Sequence, residues 1–338
     1  MDIVSTSPQI TPQRILSTLQ AYRDAAALNT AIELDLFTRI AHGADTAGKL
    51  AAEMGIPVRG IRLLCEYLAG SGLLEKEDEQ LKLGGDAALF LDKASPACLS
   101  HVASALYSAP LLRGFQGLTA AVRNGKASGL EEPRSIGRPQ WYDIARGVTD
   151  EAAAAKALAE TLDFPIGQSL KFLEIGARDG AFGIALALKY PECVVVALDC
   201  PKALAAAQIN ADAAKLGTRY QNIPGDPLLA PLGLDYDAVL LAGALSEFDD
   251  SQITSLMMRI HYALKKSGQL LILEFLTDAS PGLSHEFAGF RLNMLTATPR
   301  GDAYSLADMK AMVEASGFRS VEAQPLPAAC ATLVTARP

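Results

Sequence analysis

The second half of the chain alternates short apolar runs with helical stretches, and this alternation limits the possible folds more than any other feature. From Ser169 onward the apolar runs lie in LKFLEIGA, CVVVALD, TRYQNIP, YDAVLLAGA, GQLLILEFL, SVEAQPL and CATLVTA. Such a βαβ succession predicts a parallel sheet covered by helices on both faces, with ligands bound beyond the carboxyl ends of the strands. The last two runs are too close in sequence for a crossover helix, so we expect them to pair antiparallel.

The first half of the chain is mostly helical. Residues 14–91 repeat apolar side chains at three- and four-residue spacings. Asp45-Thr46 predicts the start of a helix that ends at Met54, and Pro57 predicts the start of the next one. Two short apolar runs around a polar turn within 73–83 predict a hairpin. A helix-turn-helix followed by a hairpin is the pattern of a winged helix.

Winged helices often bind DNA, but the charge of this chain opposes that function. The sequence has 30 Lys and Arg against 38 Asp and Glu, a formal charge of −8, and residues 1–100 hold nine basic and thirteen acidic side chains. Phosphate backbones and anionic membranes repel such a molecule. We expect no nucleic-acid or membrane partner. We expect the apolar face of Ile61, Leu64, Cys65 and Leu68, together with the alanine-rich leading helix, to form a protein interface. A DNA-binding regulator is the alternative that salt-dependent binding to duplex DNA would support.

Cysteine usage indicates a reducing compartment. The five cysteines form no C-x-x-C pair, which fits free thiols better than a disulfide framework. The N-terminal stretch lacks the basic and then apolar order of a signal peptide, and no apolar run approaches the ~20 residues that cross a bilayer. We therefore expect a cytoplasmic protein, and we predict no metal site.

The strongest local motif is LEIGARDG at residues 173–180, where the first strand of the predicted sheet turns into a helix. Gly176 and Gly180 allow the backbone to approach a ligand, and the N–H groups at the start of the helix favour a polar or anionic group. The glycine spacing differs from G-x-G-x-x-G, which argues against a nicotinamide or flavin, and a P-loop is excluded because G-K-[ST] is missing.

Acidic residues stand at three successive strand ends. Asp199 ends the second strand, where a carboxylate can accept both hydroxyls of a ribose. Asp226 follows the third strand, in a position to meet the exocyclic amine of an adenine. Each acid alone is explained equally well as a helix cap or a turn former. Together with Glu174 in the first strand they predict a nucleoside site.

These segments resemble the small-molecule O-methyltransferases that use S-adenosylmethionine and carry an N-terminal winged-helix dimerisation domain. Residues 31–83 look like the dimerisation domain, and FLEIGARDGAFGIAL, VVALDCPKAL, IPGDPL, LLAGALSEFDDSQ, LLILEFL and FRLNML look like the methyltransferase blocks. The resemblance implies an α/β fold, with a Rossmann-like seven-stranded sheet after a mostly α-helical dimerisation domain. It also implies a homodimer and three parts: dimerisation (1–98), a helical linker contributing to the substrate pocket (99–167) and S-adenosylmethionine binding (168–338).

The resemblance also implies roles for residues of the cofactor site. Glu174, Gly176 and Gly180 would hold the methionine part, Asp199 the ribose, Asp226 with Pro227 the adenine, and Ala242 would approach from the other side. Arg178 stands where the family usually has a small residue. Its cation repels a sulfonium unless the side chain points at the methionine carboxylate or away to solvent.

The block LSEFDD at 245–250 departs from the family pattern L-H-D-W-x-D, in which the histidine takes the proton of the substrate hydroxyl. Ser246 occupies that position. Loss of a base with a pKa near 7 removes a contribution on the order of 10²–10⁴-fold, and serine cannot replace it. Glu247 is one candidate replacement. His285 is the other, because it stands where the substrate-lining helix of the family begins.

The acceptor pocket is expected to contain aromatic and apolar side chains from the linker and from that helix. The candidate substrate-binding residues are Trp141, Tyr142, Phe290, Arg291, Asn293 and Met294. Apolar lining with one arginine favours a planar or elongated acceptor that carries an anion or a carbonyl, although ordinary helix packing also explains the aromatic pair and the apolar stripe.

The expected function is S-adenosylmethionine-dependent methylation of a small aromatic, polyketide-like or tetrapyrrole-like acceptor without the usual histidine base. The alternative is a non-methylating member of the same fold that uses bound S-adenosylmethionine for pericyclic, decarboxylative or hydroxylating chemistry.

Overall fold

The structure is a computed structural model that describes residues 11–127, 151–276, 284–326 and 331–338. The chain divides into two compact units, Met1–Ser108 and Ala109–Pro338. The finer division into three parts, with boundaries at 98 and 167, stays a prediction.

The first unit is helical with one small hairpin. Its elements are α1 (Gln13–Glu33), α2 (Leu36–Ala41), α3 (Ala47–Met54), α4 (Val58–Gly70), β1 (Leu74–Glu77), β2 (Gln80–Leu83), α5 (Gly85–Phe90) and α6 (Ser100–Leu106). The Thr46 hydroxyl accepts a hydrogen bond from Lys49 N, and Gly55 adopts a left-handed φ of 64°. These two caps start and end α3 as the sequence predicts.

The apolar face of α4 is covered within its own unit, so this part of the predicted interface was wrong. Ile61, Cys65 and Leu68 are 1%, 2% and 1% exposed and belong to the core of the first unit. The helix packs this face against α1, α3 and β1 of its own unit. An amphipathic pattern shows that one face of a helix is covered, but not by which partner.

The second unit is built round one sheet. Its elements are α7 (Ala109–Gln116), α8 (Leu118–Asn124), α9 (Glu151–Thr161), β3 (Lys171–Ile175), α10 (Ala181–Lys189), β4 (Val194–Asp199), α11 (Pro201–Ala213), β5 (Tyr220–Pro224), β6 (Tyr236–Ala242), α12 (Asp250–Ala263), β7 (Leu264–Glu274), α13 (Ser284–Ala297), α14 (Leu306–Ala315), β8 (Arg319–Leu326) and β9 (Ala331–Arg337). The seven strands lie in the order β5-β4-β3-β6-β7-β9-β8. Only β9 runs antiparallel to its neighbours, β7 and β8, as predicted for the last two apolar runs.

Both faces of the sheet are buried, which explains why its central strands are apolar throughout. Successive side chains of a strand point to opposite faces. Phe172 accordingly joins the core on one face, while Leu173 joins the core on the other. Each fully buried side chain of this size contributes about 1.5–3 kcal/mol of hydrophobic free energy.

The order of the strands reverses beside β3. The chain passes outward from β3 through β4 to β5 and then returns to form β6 on the other side of β3. In open α/β sheets, ligands bind at such a reversal, beyond the carboxyl ends of the strands. We therefore expect a ligand site among the residues that follow β3, β4, β5 and β6.

The two edge strands are polar. In β5, Gln221 and Asn222 are exposed and the strand ends at Pro224, while β8 exposes Arg319 and Pro325. Within the described ranges, the structure contains no helix with the length and apolarity needed to traverse a lipid bilayer.

Candidate active site

The glycine turn at residues 176–180 connects β3 to α10 and lies close against the sheet. Gly176 and Gly180 have left-handed φ angles of 76° and 83°. Gly176 N donates to Leu198 O at 2.9 Å, which fixes the turn to the neighbouring strand. A Cβ at Gly180 would lie 2.5 Å from the hydroxyl of Tyr220. Because the conformation and the space both exclude a side chain, this position requires glycine.

Glu174 lies behind the glycine turn. Its side chain is 2% exposed, and Oε2 accepts a hydrogen bond from Gly183 N at 3.1 Å. A Cβ at Gly183 would lie only 2.3 Å from that oxygen. Burial raises the pKa of Glu174 well above its usual range, since a charged carboxylate loses its hydration there. The carboxyl group therefore packs against the first turn of α10.

Asp199 ends β4 and holds the turn from the other side. Its Oδ2 accepts from Arg178 N at 2.9 Å, and its Oδ1 accepts from Cys200 N at 2.6 Å. The side chain is 0% exposed. Burial raises the pKa of Asp199, and the two backbone hydrogen bonds oppose this rise. The carboxyl group thus links the glycine turn to the end of the neighbouring strand.

The Arg178 side chain does not point away to solvent, which was one of the two orientations considered from the sequence. Its guanidinium forms an ion pair with Glu151 in the first turn of α9, with Nη1 and Oε1 3.0 Å apart. The arginine side chain is 13% exposed and the backbone φ is 53°. The acid of α9 therefore offsets the positive charge that this residue adds to the turn.

Asp226 and Pro227 follow β5, and Ala242 ends β6. Asp226 is half-buried, and its Oδ1 accepts from Leu228 N at 2.8 Å, so it also shapes its own turn. Pro227 is buried and its carbonyl accepts a hydrogen bond from the Arg259 guanidinium. Asp226 and Pro227 lie at the same end of the sheet as Asp199, because β4 and β5 are adjacent and parallel. Ala242 lies at that end too, because β6 runs parallel to β3 on its other side.

Ser246 lies in a short 3₁₀ turn, Leu245–Glu247, after β6. Its side chain is buried, and that of Glu247 is half-buried. Leu245 N donates to Glu274 Oε1 at 2.8 Å, and the Tyr304 hydroxyl donates to Phe248 O at 2.6 Å. These contacts from β7 and from the segment before α14 fix the position of Ser246. Glu274 was not predicted from the sequence, and its signal is an acid that directly follows the apolar run 270–273 at the end of β7.

The candidate substrate residues on α13 divide between two faces. Phe290, Asn293 and Met294 are buried, whereas Arg291 and His285 are exposed. No contact described in the structure joins His285 to the Ser246 turn.

Arg291 faces away from the buried residues of its helix. It forms two hydrogen bonds of 2.7 Å to the carboxylate of Asp302. It also lines an open cavity of about 620 Å³ together with Lys126 and Arg300. Trp141 and Tyr142 lie outside the described residues.

Comparison with known proteins agrees with this arrangement. The family profile of the O-methyltransferase domain matches residues 115–319, and the profile of the O-methyltransferase dimerisation domain matches residues 16–90. A proposed O-methyltransferase from Nostoc punctiforme is 32% identical, with a TM-score of 0.84, covering 98% of this chain and 100% of that one. PigF, solved with S-adenosylhomocysteine, shares the fold at 23% identity, with a TM-score of 0.80 over 97% of this chain and 100% of its own.

Curated relatives cover nearly the whole chain. The N,N-dimethyltransferase OxyT of Streptomyces rimosus is 26% identical over 333 residues, 96% of this chain and 95% of its own. The tetracenomycin polyketide synthesis 8-O-methyl transferase TcmO of Streptomyces glaucescens is 27% identical over 316 residues, 92% of each chain. This chain belongs to the S-adenosylmethionine-dependent small-molecule O-methyltransferase family of secondary metabolism, with an N-terminal dimerisation domain.

Proposed function

We propose that this chain methylates a hydroxyl oxygen of a small aromatic, polyketide-like acceptor. The observation that carries the proposal is the placement of Glu174, Asp199 and Asp226 at adjacent strand ends, beside a glycine turn with no room for a larger residue. The acceptor class is supported by TcmO, which acts in polyketide synthesis. OxyT, an N,N-dimethyltransferase, makes an amine the second acceptor to test.

The residues at the carboxyl ends of the strands fit S-adenosylmethionine. Each oxygen of Asp199 accepts one backbone N–H, which leaves lone pairs for the two ribose hydroxyls. Asp226 and Pro227 would hold the adenine, and Ala242 would lie on the opposite side. Glu174, Gly176 and Gly180 would hold the methionine part, since the glycines let it approach the backbone. Because Asp199 has no exposed surface in the free chain, we expect the turn at Arg178 to shift when the nucleoside enters.

Methyl transfer in this chain depends on positioning and on the acidity of the acceptor. S-adenosylmethionine supplies an electrophilic methyl group, and correct alignment of the acceptor can lower the barrier by ~7–11 kcal/mol. Ser246 is a neutral hydroxyl that can hydrogen-bond to the acceptor oxygen but cannot act as its base. We therefore propose that the acceptor enters as an anion or with a hydroxyl of lowered pKa. Of the two candidate proton acceptors, Glu247 and His285, we favour Glu247 because it directly follows Ser246 in the chain.

A direct experiment tests the reaction. The purified chain is incubated with S-adenosylmethionine and a panel of hydroxylated naphthoates, anthraquinones and aromatic amines, and products are followed by mass spectrometry. A gain of one methyl group with formation of S-adenosylhomocysteine supports the proposal. Tight cofactor binding without methylation of any acceptor would favour the non-methylating alternative.

A second experiment tests the cofactor site. Asp199→Asn keeps the shape of the side chain but replaces one acceptor oxygen by a donor, so we expect S-adenosylmethionine to bind at least about tenfold more weakly in calorimetry. Asp212→Asn is the matched control, because Asp212 is exposed on α11 and the one described hydrogen bond of its side chain is the one it accepts from Gln208. Equal affinities in both variants would contradict the assignment of Asp199.

A further inference from the structure

The hydroxyl of Tyr220 is a buried polar group that none of the contacts described above satisfies. The side chain is 4% exposed, and within the described residues its oxygen has no hydrogen-bond partner. Native proteins hydrogen-bond nearly all of their buried polar groups, because an unmet one destabilises the fold. A hydroxyl that is buried without a partner in the free chain indicates a partner that forms in another state of the molecule.

This hydroxyl lies directly beneath the glycine turn. It is 2.5 Å from the position of a Cβ at Gly180, and Ala207 and Ile184 pack against the same glycine. Burial first, and then the charges of Glu174, Asp179 and Asp199, raise the pKa of the Tyr220 phenol. The group therefore stays protonated and can donate a hydrogen bond to one of these acids.

Glu174 is the acid that most needs another donor. Asp199 already accepts two backbone N–H groups, and Asp179, which accepts one from Ala181 N, is only half-buried and so can reach water. The buried Glu174 accepts one described hydrogen bond, from Gly183 N. Burial raises the pKa of Glu174 and so favours its neutral form in the free chain. A cation bound at the turn reverses this preference, because an opposite charge favours the carboxylate. A buried carboxylate then gains most from a charge-assisted hydrogen bond.

We propose that Tyr220 is a positioning residue for the cofactor, and that its hydroxyl donates a hydrogen bond to the Glu174 carboxylate when S-adenosylmethionine is bound. The sulfonium gives S-adenosylmethionine one positive charge more than S-adenosylhomocysteine, which is a neutral thioether. Tyr220 therefore favours the methyl donor over the product. This inference rests on the proposed function, because it requires that the cofactor binds at the glycine turn.

The variant Tyr220→Phe tests the inference, since it removes only the hydroxyl. We expect the free variant to be at least as resistant to urea as the wild-type chain, because no existing hydrogen bond is lost. Calorimetry should show S-adenosylmethionine binding about tenfold more weakly. The affinity for S-adenosylhomocysteine should change by less than about twofold, so the selectivity for the methyl donor falls.

The variant Tyr190→Phe is the matched control. Tyr190 lies in the same core as Tyr220, but its hydroxyl accepts from Phe164 N at 3.2 Å and donates to Leu162 O at 2.7 Å. Loss of these bonds should lower the resistance to urea and leave the selectivity between the two nucleosides unchanged. Tyr190→Phe is therefore expected to lower the resistance to urea without changing the selectivity. Tyr220→Phe is expected to lower the selectivity without lowering the resistance to urea.

The possible outcomes separate this inference from the function on which it rests. Unchanged selectivity in Tyr220→Phe, or a loss of stability as large as that of Tyr190→Phe, overturns the role of Tyr220. Failure of the wild-type chain to bind either nucleoside contradicts the proposed function as well. The role of Tyr220 would also be overturned by a crystal structure with S-adenosylmethionine in which the Tyr220 hydroxyl lies more than 3.5 Å from the Glu174 carboxylate.

Discussion

Gly183 shows at the scale of one residue how closely the candidate site is packed. A Cβ at this position would lie 2.3 Å from Glu174 Oε2 and 2.8 Å from Val195 Cγ1. Gly183 has an ordinary helical conformation, so glycine is required here because a side chain has no room and not because the backbone is strained. The first turn of α10 can approach β3 and β4 only because this side chain is missing.

Gly183→Ala is expected to destabilise the chain by about 1–3 kcal/mol, because it displaces the buried carboxyl group of Glu174 from its hydrogen bond. The control is Gly289→Ala in α13, where no atom lies within 4 Å of an added Cβ. Alanine there should be neutral or stabilise the helix by up to about 1 kcal/mol. Urea denaturation measures both changes, and equal effects would show that the space beside Gly183 can relax.

Ser246 is the residue at which the sequence departs from the L-H-D-W-x-D pattern of the family. Ser246→His introduces a base with a pKa near 7 on a turn that is fixed by Glu274 and Tyr304. We expect faster methylation of weakly acidic phenols at neutral pH, by about tenfold or more. Ser246→Asn is the control for side-chain volume. If both variants lose activity equally, the pocket is not arranged for a base at this position.

Single elements show the strongest agreement between sequence and structure. Strand and helix periodicities are local, so they predicted β3 to β7 and the antiparallel pair β8 and β9 without knowledge of contacts. The position of Asp199 at a strand end could be predicted for the same reason. The contact of Tyr220 with the glycine turn and the Arg178 ion pair could not, because each joins residues far apart in the chain with no repeating pattern.

The start of α12 has a pH-dependent cap. Asp249 accepts from Gln252 N at 2.9 Å in a capping box and pairs with Arg300 at 2.9 Å. Burial opposes ionisation, but the hydrogen bonds from Ser251, Arg300 and Gln252 outweigh it and lower the pKa of Asp249 to about 2. Because the folded pKa is lower than the unfolded one, the ionised group stabilises the fold above pH ~4, and this contribution is lost as the pH falls towards 2.

Asp249→Asn keeps a good cap but removes the charge, so we expect a loss of about 1 kcal/mol at pH 7, reduced by solvent screening, that shrinks at pH 3. Asp249→Ala also removes the cap and should lose about 1 kcal/mol more at both pH values. Urea unfolding at the two pH values measures these differences. A gap between wild type and Asp249→Asn that does not depend on pH would contradict the role of the charge.

At the scale of the whole molecule, the dimerisation domain predicts assembly of two copies. The helix α1 exposes Ile15, Leu19 and Tyr22 to 66%, 66% and 70%. Their spacing of four and three residues puts them on one face of the helix. An apolar stripe of this kind is expected to be covered in a dimer.

Leu19→Glu is therefore expected to convert a dimer into a monomer, because it buries a charge in the contact. Leu188→Glu is the control, since Leu188 is 59% exposed on α10 in the other unit. Size-exclusion chromatography with light scattering measures the mass of each variant. If Leu188→Glu is monomeric and Leu19→Glu stays dimeric, the dimer contact does not involve this face of α1.

The polar edges of the seven-stranded sheet restrict how copies of this enzyme can meet. Unpaired strand margins are templates for sheet growth between molecules, the route to fibrils and amorphous aggregates. Pro224 at one margin and Pro325 at the other withhold a backbone donor, and the hydrophilic side chains beside them keep water bound. These features disfavour pairing between the sheet edges of two copies.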